Sequence, residues 1–224
     1  MADLDKARIV DLSHVITEGM VTYKGLPGPH ICDFISREQS AANYDGGETF
    51  HIGKIDMVAN TGTYVDVPSH RFADGKDLSE VEVEAFAHLP ALVVRQAFEN
   101  GLGVDLAAFE GLDVRGKAVL VATGWDRHWG SEAYYHDHSF VTVEAAEWLV
   151  GQGAALVGID SHNIDDTRVR TRPVHTALLG GGIPICEHMT GLGALPDDGF
   201  HFSAAPPKVK GMGTFPVRAY AVLG

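Results

Sequence analysis

Residues 60–70 read NTGTYVDVPSH, and the order of polar and small residues in that stretch sets the frame for the whole chain. In an extended segment, side chains alternate between two faces. Asn60, Gly62, Tyr64 and Asp66 then share one face, and Thr61, Thr63 and Val65 take the other. Pro68 has no N–H to give to a ladder, so it marks the strand's end and lets His70 swing back towards the polar face. An amide, a phenol, a carboxylate and an imidazole thus gather on one side of a largely apolar segment.

Upstream, ETFHIGKIDMVAN alternates apolar and polar residues and is predicted as a strand leading straight into this motif. ARIVDLSH reads as a short buried strand and turn, and GMVTYKGLPGPH as a Gly/Pro-rich surface loop. Downstream, PALVVRQ, KAVLVATG and AALVGID are short Val-rich runs of the kind that form buried strands. TVEAAEWLVGQG is the clearest helix, with Thr142 as N-cap and Gly151 or Gly153 ending it. Ala145, Trp148 and Leu149 form its core-facing stripe. GMGTFPVRAYAVLG closes the chain as a last strand with Pro216 near its start. Strands interleaved with few helices argue for a mixed α/β fold, and 224 residues suit one domain over 1–224.

The net charge of -13, from 17 Lys+Arg against 30 Asp+Glu, argues against nucleic acid or anionic membrane as partner, since both require a basic footprint. No apolar run approaches the ~20 residues of a membrane span. The opening MADLDKAR has acids where a leader has bases, and Cys32 and Cys186 are isolated, so a cytoplasmic protein with free thiols is expected. The 12 histidines outnumber the 3 Trp and 6 Tyr combined, which raises the question of whether some converge.

The motif resembles HxGTHxDxPxH, the signature of the cyclase or kynurenine-formamidase-like family of metal-dependent hydrolases. Here it stands as Asn60-x-Gly-Thr-Tyr64-x-Asp66-x-Pro-x-His70. VDLSH, LVGIDSHNIDD and RPVHTALLGGGIPICEHM resemble further segments of the family in the family's order. The resemblance implies a mixed β-sheet in a swivelling β/β/α architecture, a homo-oligomer (dimer or tetramer), and a small-molecule substrate with an N-formyl amide, cyclic amide or lactone bond. It also implies one divalent metal ion, zinc or manganese, held by Asp66, His175 and Glu187, with His70 as general acid/base. Asn60 and Tyr64 replace two family histidines. A phenol keeps its proton near neutrality, so Tyr64 is expected as a hydrogen-bond donor to an oxyanion and Asn60 as a substrate contact. His51 and His162 are candidate compensating ligands. Trp125, His128 and Arg71 are candidate substrate contacts, Arg71 through a carboxylate.

Taken singly, these residues have plainer readings. Asp66 can cap a turn, His175 can be a core histidine and Glu187 a surface acid. Their shared presence on otherwise apolar segments favours a site, because an unpaired buried carboxylate is costly. HWGSEAYYHDH is read as a loop lining a pocket or subunit contact, Gly180–Gly182 as a place where backbone passes close to the site, and Asp165 and Asp166 as turn residues. The alternative function keeps the pocket without metal: a small-molecule binding protein, or an enzyme using Tyr64 and His70 for proton transfer.

Overall fold

The computed structural model describes residues 8–224. Most of the acidic opening stretch read above therefore lies outside the described residues.

The Val-rich runs form the parallel centre of a nine-stranded sheet, in which Leu89–Arg95, Ala118–Ala122, Leu156–Ile159 and Ile185–Glu187 lie side by side. Phe200–Ser203, Tyr220–Leu223 and Arg8–Asp11 extend it antiparallel on one side. On the other side come Tyr64–Asp66 and then Thr214–Pro216, also antiparallel. The central strands are apolar at nearly every position because both of their faces are covered. Val119 and Val121 point into one core cluster with Val157, Ile159 and the two longer helices. Ala118 and Leu120 point into the other, with Leu156, Phe200 and Phe202.

Helix Val143–Gln152 begins and ends as its residues dictate. The Thr142 hydroxyl accepts from the Ala145 N–H, and Gly153 closes it in the left-handed region at φ 76. Ala145, Ala146 and Leu149 are buried, whereas Trp148 packs at the margin. Helix Pro173–Gly180 opens on a proline, whose missing N–H costs nothing at that position.

Four expectations require correction. The motif is a strand only over Tyr64–Asp66. Before it the chain turns, with the Thr61 hydroxyl donating to the Val58 carbonyl at 2.7 Å and Gly62 at φ 66. The preceding strand, Ile52–Asp56, does not run into the motif but pairs with His30–Ile35 in a separate hairpin. The C-terminal stretch is two strands, and Pro216 ends the first of them, an edge strand where no donor is missed. The Gly180–Gly182 run serves helix packing: a Cβ on Gly181 would lie 2.9 Å from a methyl carbon of Val150. Cys32 and Cys186 are free thiols. Among the described residues no helix is long and apolar enough to cross a membrane.

Gly213 determines how closely the edge strand approaches the turn at His70. A Cβ there would stand 2.4 Å from the His70 backbone nitrogen. Gly213→Ala is expected to lower stability by about 1–3 kcal/mol, measured by urea denaturation. Gly193→Ala, where an added Cβ meets nothing within 4 Å, is the neutral control.

Candidate active site

The short strand Tyr64–Asp66 lies between Ile185–Glu187 and Thr214–Pro216, with Tyr64 opposite Glu187 and Thr214 opposite Asp66. Residues directly opposite share a face, so the register alone puts Tyr64, Asp66, Glu187 and Thr214 on one side of the sheet. His70 returns to that side after the turn Pro68–His70. His175 comes from the first turn of helix Pro173–Gly180.

Asp165 holds His175 in place. Its carboxylate accepts the backbone N–H groups of Val174 at 2.7 Å and His175 at 3.0 Å, which are orphan donors of a helix start. The same carboxylate lies 2.6 Å from His175 Nδ1. With Nδ1 taken, Nε2 faces the strand, 3.7 Å from Asp66 Oδ2 and 3.7 Å from Glu187 Oε1. Both separations are too long for hydrogen bonds.

Asp66 Oδ2 is buried and has no partner at hydrogen-bond distance. Its other oxygen accepts the Thr214 hydroxyl, and that hydroxyl oxygen lies 2.8 Å from His70 Nδ1. The single Thr214 proton goes to Asp66, so His70 must donate from Nδ1, which leaves its Nε2 basic. Asp66, His70 and His175 each offer one potential ligand atom, and these atoms lie within 4.8 Å of one another.

The electrostatics call for a cation. Asp66, Asp165 and Glu187 are all buried, and even a protonated His175 leaves negative charge in excess. Burial alone would lower the His175 pKa, but Glu187, Asp165 and Asp66 outweigh it and raise it to about 10. Burial lifts Glu187 to about 7, against the pull of His175. An orphaned carboxylate oxygen and an oriented imidazole nitrogen are a fitting donor set for a divalent ion.

Tyr64 is not available as first expected. Its hydroxyl donates to Glu187 Oε2 at 2.8 Å, and its oxygen lies 3.2 Å from His188 Nε2. His188 Nδ1 in turn meets the Tyr134 hydroxyl at 2.9 Å. With Glu187 ionised, one proton order satisfies every member: Tyr134 donates to His188, His188 to Tyr64, and Tyr64 to Glu187. Burial pushes the Tyr64 phenol well above its ordinary pKa and holds His188 well below, so both stay neutral. An acid whose proton is committed in this way is a poor partner for His70 in metal-free proton transfer.

A cavity of about 430 Å³ opens above these groups. Tyr64, His70, His175 and Glu187 reach it from below, and Asn60, Asn163, Arg71 and Arg172 line its sides. The loop at Tyr23–Leu26, read from sequence only as a surface excursion, forms part of its wall. Four candidates lie elsewhere. Trp125 is buried, with its Nε1–H given to the Tyr134 carbonyl at 3.1 Å, and His128 packs on it and on Phe98. His51 sits on the exposed hairpin, 2.7 Å from Asp33. His162 is buried behind the wall, stacked on Tyr23 with ring centroids 4.6 Å apart, and is not among the cavity-lining residues. Sequence reasoning missed Asp165, Thr214, His188 and Tyr134.

The family model described as "Putative cyclase" matches residues 10–166, and the chain belongs to that family. Kynurenine formamidase of Erythrobacter litoralis is 26% identical over 206 residues, 90% of this chain and 88% of that protein. Kynurenine formamidase of Bacillus cytotoxicus is 26% identical over 213 residues, covering 94% and 95%. Among solved structures, isatin hydrolase A from Ralstonia solanacearum superposes with a TM-score of 0.82 at 22% identity, covering 98% of this chain and 93% of that one. A structure described as a potential metal-dependent hydrolase with cyclase activity gives 0.78 at 24% identity, covering 96% and 98%. These likenesses confirm the mixed α/β fold.

Asp165→Asn removes the charge that orients His175 while keeping an acceptor for the helix start. It is expected to lower unfolding free energy by about 1–3 kcal/mol, read by urea denaturation. An unchanged midpoint would mean that the 2.6 Å contact contributes no net stability.

Proposed function

We propose that the protein is a divalent-metal-dependent hydrolase that opens a C–N acyl bond in a small molecule, an N-formyl amide or a cyclic amide, with a lactone as the oxygen counterpart. The carrying observation is the buried, unpartnered Asp66 Oδ2 facing His175 Nε2 beside His70. The kynurenine formamidase and isatin hydrolase relatives support the bond class.

Asp66 and His175 would hold the ion, with Glu187 beside them. The donor set has carboxylates and imidazole but no thiolate, which suits zinc or manganese. A divalent ion there supplies Lewis acidity towards water and a carbonyl oxygen. His70 takes a proton at Nε2, since Nδ1 is given to Thr214, and returns it to the leaving nitrogen. Tyr64 donates to Glu187 Oε2 and fixes that carboxylate. Asn60 lines the cavity with an amide able to orient a substrate carbonyl.

We further infer that the chain works as a homo-oligomer in a reducing compartment, as two free thiols favour. The hairpin of His30–Ile35 and Ile52–Asp56 supports assembly, because it exposes Ile31 (44%), Phe34 (66%), Ile52 (44%) and Ile55 (45%). A two-stranded hairpin that leaves these apolar side chains exposed is marginal in water, so a second copy of the chain is the economical cover.

Elemental analysis after expression with zinc and manganese supplied is expected to give about one equivalent of metal per chain, and none in an Asp66→Ala, His175→Ala double variant. His70→Ala should keep the ion while a formamide-hydrolysis rate falls by about 10²–10⁴. Loss of the ion in that variant would make His70 a ligand instead. For the assembly, Phe34→Glu with Ile55→Glu should lower the mass measured by light scattering to that of one chain. A mass unchanged from the parent would rule out the hairpin as the interface.

A further inference from the structure

We propose that the pocket recognises its substrate by a carboxylate, gripped by Arg71 and Arg172. The reaction assigned above then acts on an anionic acyl compound rather than a neutral amide. The inference rests on that hydrolase reading for the bond cleaved, but not for the binding.

In a chain of net charge -13, three Lys and Arg side chains line this one cavity: Lys24, Arg71 and Arg172. Lys24 is neutralised by an ion pair with Glu132. The two arginines differ from it, because every partner they have among the described residues is neutral. Arg71 donates from Nε to the Thr176 hydroxyl at 3.1 Å and from Nη2 to the Thr171 carbonyl at 2.7 Å. Arg172 donates from Nη1 to the carbonyls of Val169 at 2.9 Å and Asp166 at 3.3 Å, and from Nη2 to the Tyr23 hydroxyl at 3.4 Å. The Asp166 carboxylate is engaged by Arg168 instead, at 2.8 and 2.9 Å. Carbonyls and hydroxyls fix the direction of a guanidinium without cancelling its charge.

The backbone supports the same reading. Arg172 sits at φ 51, in the left-handed region that a residue with a Cβ rarely adopts, immediately before Pro173. Strain of this kind persists where surrounding structure imposes it, and it gathers at ligand clamps. Thr176 links the two arginines: its hydroxyl oxygen accepts from Arg71 Nε, and its proton goes to the Arg172 carbonyl at 2.9 Å. The pair is therefore one preset unit on the cavity wall, near the histidines and Glu187. Planar guanidinium forks match carboxylate geometry, and their N–H groups not already used suit a small planar anion.

Calorimetric binding of phenylacetate and of phenylacetamide to the metal-loaded protein tests this without turnover. The carboxylate should bind more tightly, and its affinity should fall with added salt while that of the amide does not. Arg71→Gln and Arg172→Gln should each weaken phenylacetate by about 10- to 100-fold and leave phenylacetamide unchanged, with Arg71→Lys recovering part of the loss. Four results would overturn the proposal: no preference for the carboxylate, equal weakening of both probes in the variants, phenylacetate affinity untouched by them, or inorganic phosphate competing as well as phenylacetate. If the strained position makes Arg172→Gln unstable, the exposed Arg71 carries the test alone. Arginine-dependent carboxylate binding without cleavage of any formamide would sink the hydrolase reading and leave the anion site standing. Cleavage of neutral formamides with no carboxylate preference would do the reverse.

Discussion

Asp66, Asp165 and Glu187 place three buried carboxylates around His175, whose pKa they raise, and much of the surrounding structure serves to make that burial tolerable. An ionised carboxylate taken from water without partners costs several kcal/mol. Here Asp165 receives two helix-start N–H groups and an imidazole, Glu187 receives the Ile164 N–H at 2.7 Å and the Tyr64 hydroxyl, and Asp66 receives the Thr214 hydroxyl. One oxygen, Asp66 Oδ2, is left over. The other five oxygens of these carboxylates each accept a hydrogen bond, so Asp66 Oδ2, 3.7 Å from His175 Nε2, is the point where a cation fits the charge of the site.

The position of the motif strand follows from the same constraint. A strand contributing both Tyr64 and Asp66 to one face must be at least three residues long, and here it is paired on both sides, with Glu187 supplied by one neighbour and Thr214 by the other. The edge strand approaches closely enough only because Gly213 has no Cβ to meet the His70 backbone. Site geometry and sheet topology are thus set by one pair of ladders.

The parallel core and the Val143–Gln152 helix were legible because burial on both faces and an N-cap with an αL glycine leave marks on local sequence. Asp66, His70, His175 and Glu187 were legible as a motif, and the fold brings them together: His70, His175 and Glu187 line one cavity, with Asp66 buried beside His70 and His175. What could not be read depended on register. Thr214 faces Asp66 across 148 positions of chain. Asp165 looked like a turn residue because its role depends on a helix starting eight residues later. Trp125 and His128 looked like pocket residues from the family resemblance of their loop, yet here the indole N–H closes a bond within that same loop. Ile52–Asp56 alternated correctly but on a hairpin with no buried face, so alternation alone overstated its connection to the motif.

The substitution of a phenol at position 64 is half of a coupled arrangement. A buried Tyr64 that gives its proton to Glu187 still has an oxygen needing a donor, and His188 supplies it. His188 directly follows Glu187, and in regular strand geometry consecutive side chains point to opposite faces. The two reach the same phenol because His188 lies at φ 54, in the left-handed region, which breaks the alternation at the strand's end. Its carbonyl is held there by the Thr63 hydroxyl at 2.6 Å, from the residue just before Tyr64. The backbone strain at His188 and the tyrosine in the motif are therefore one physical unit: the neighbour of Tyr64 fixes the turn that satisfies Tyr64, and Tyr64 in turn fixes the Glu187 carboxylate beside His175.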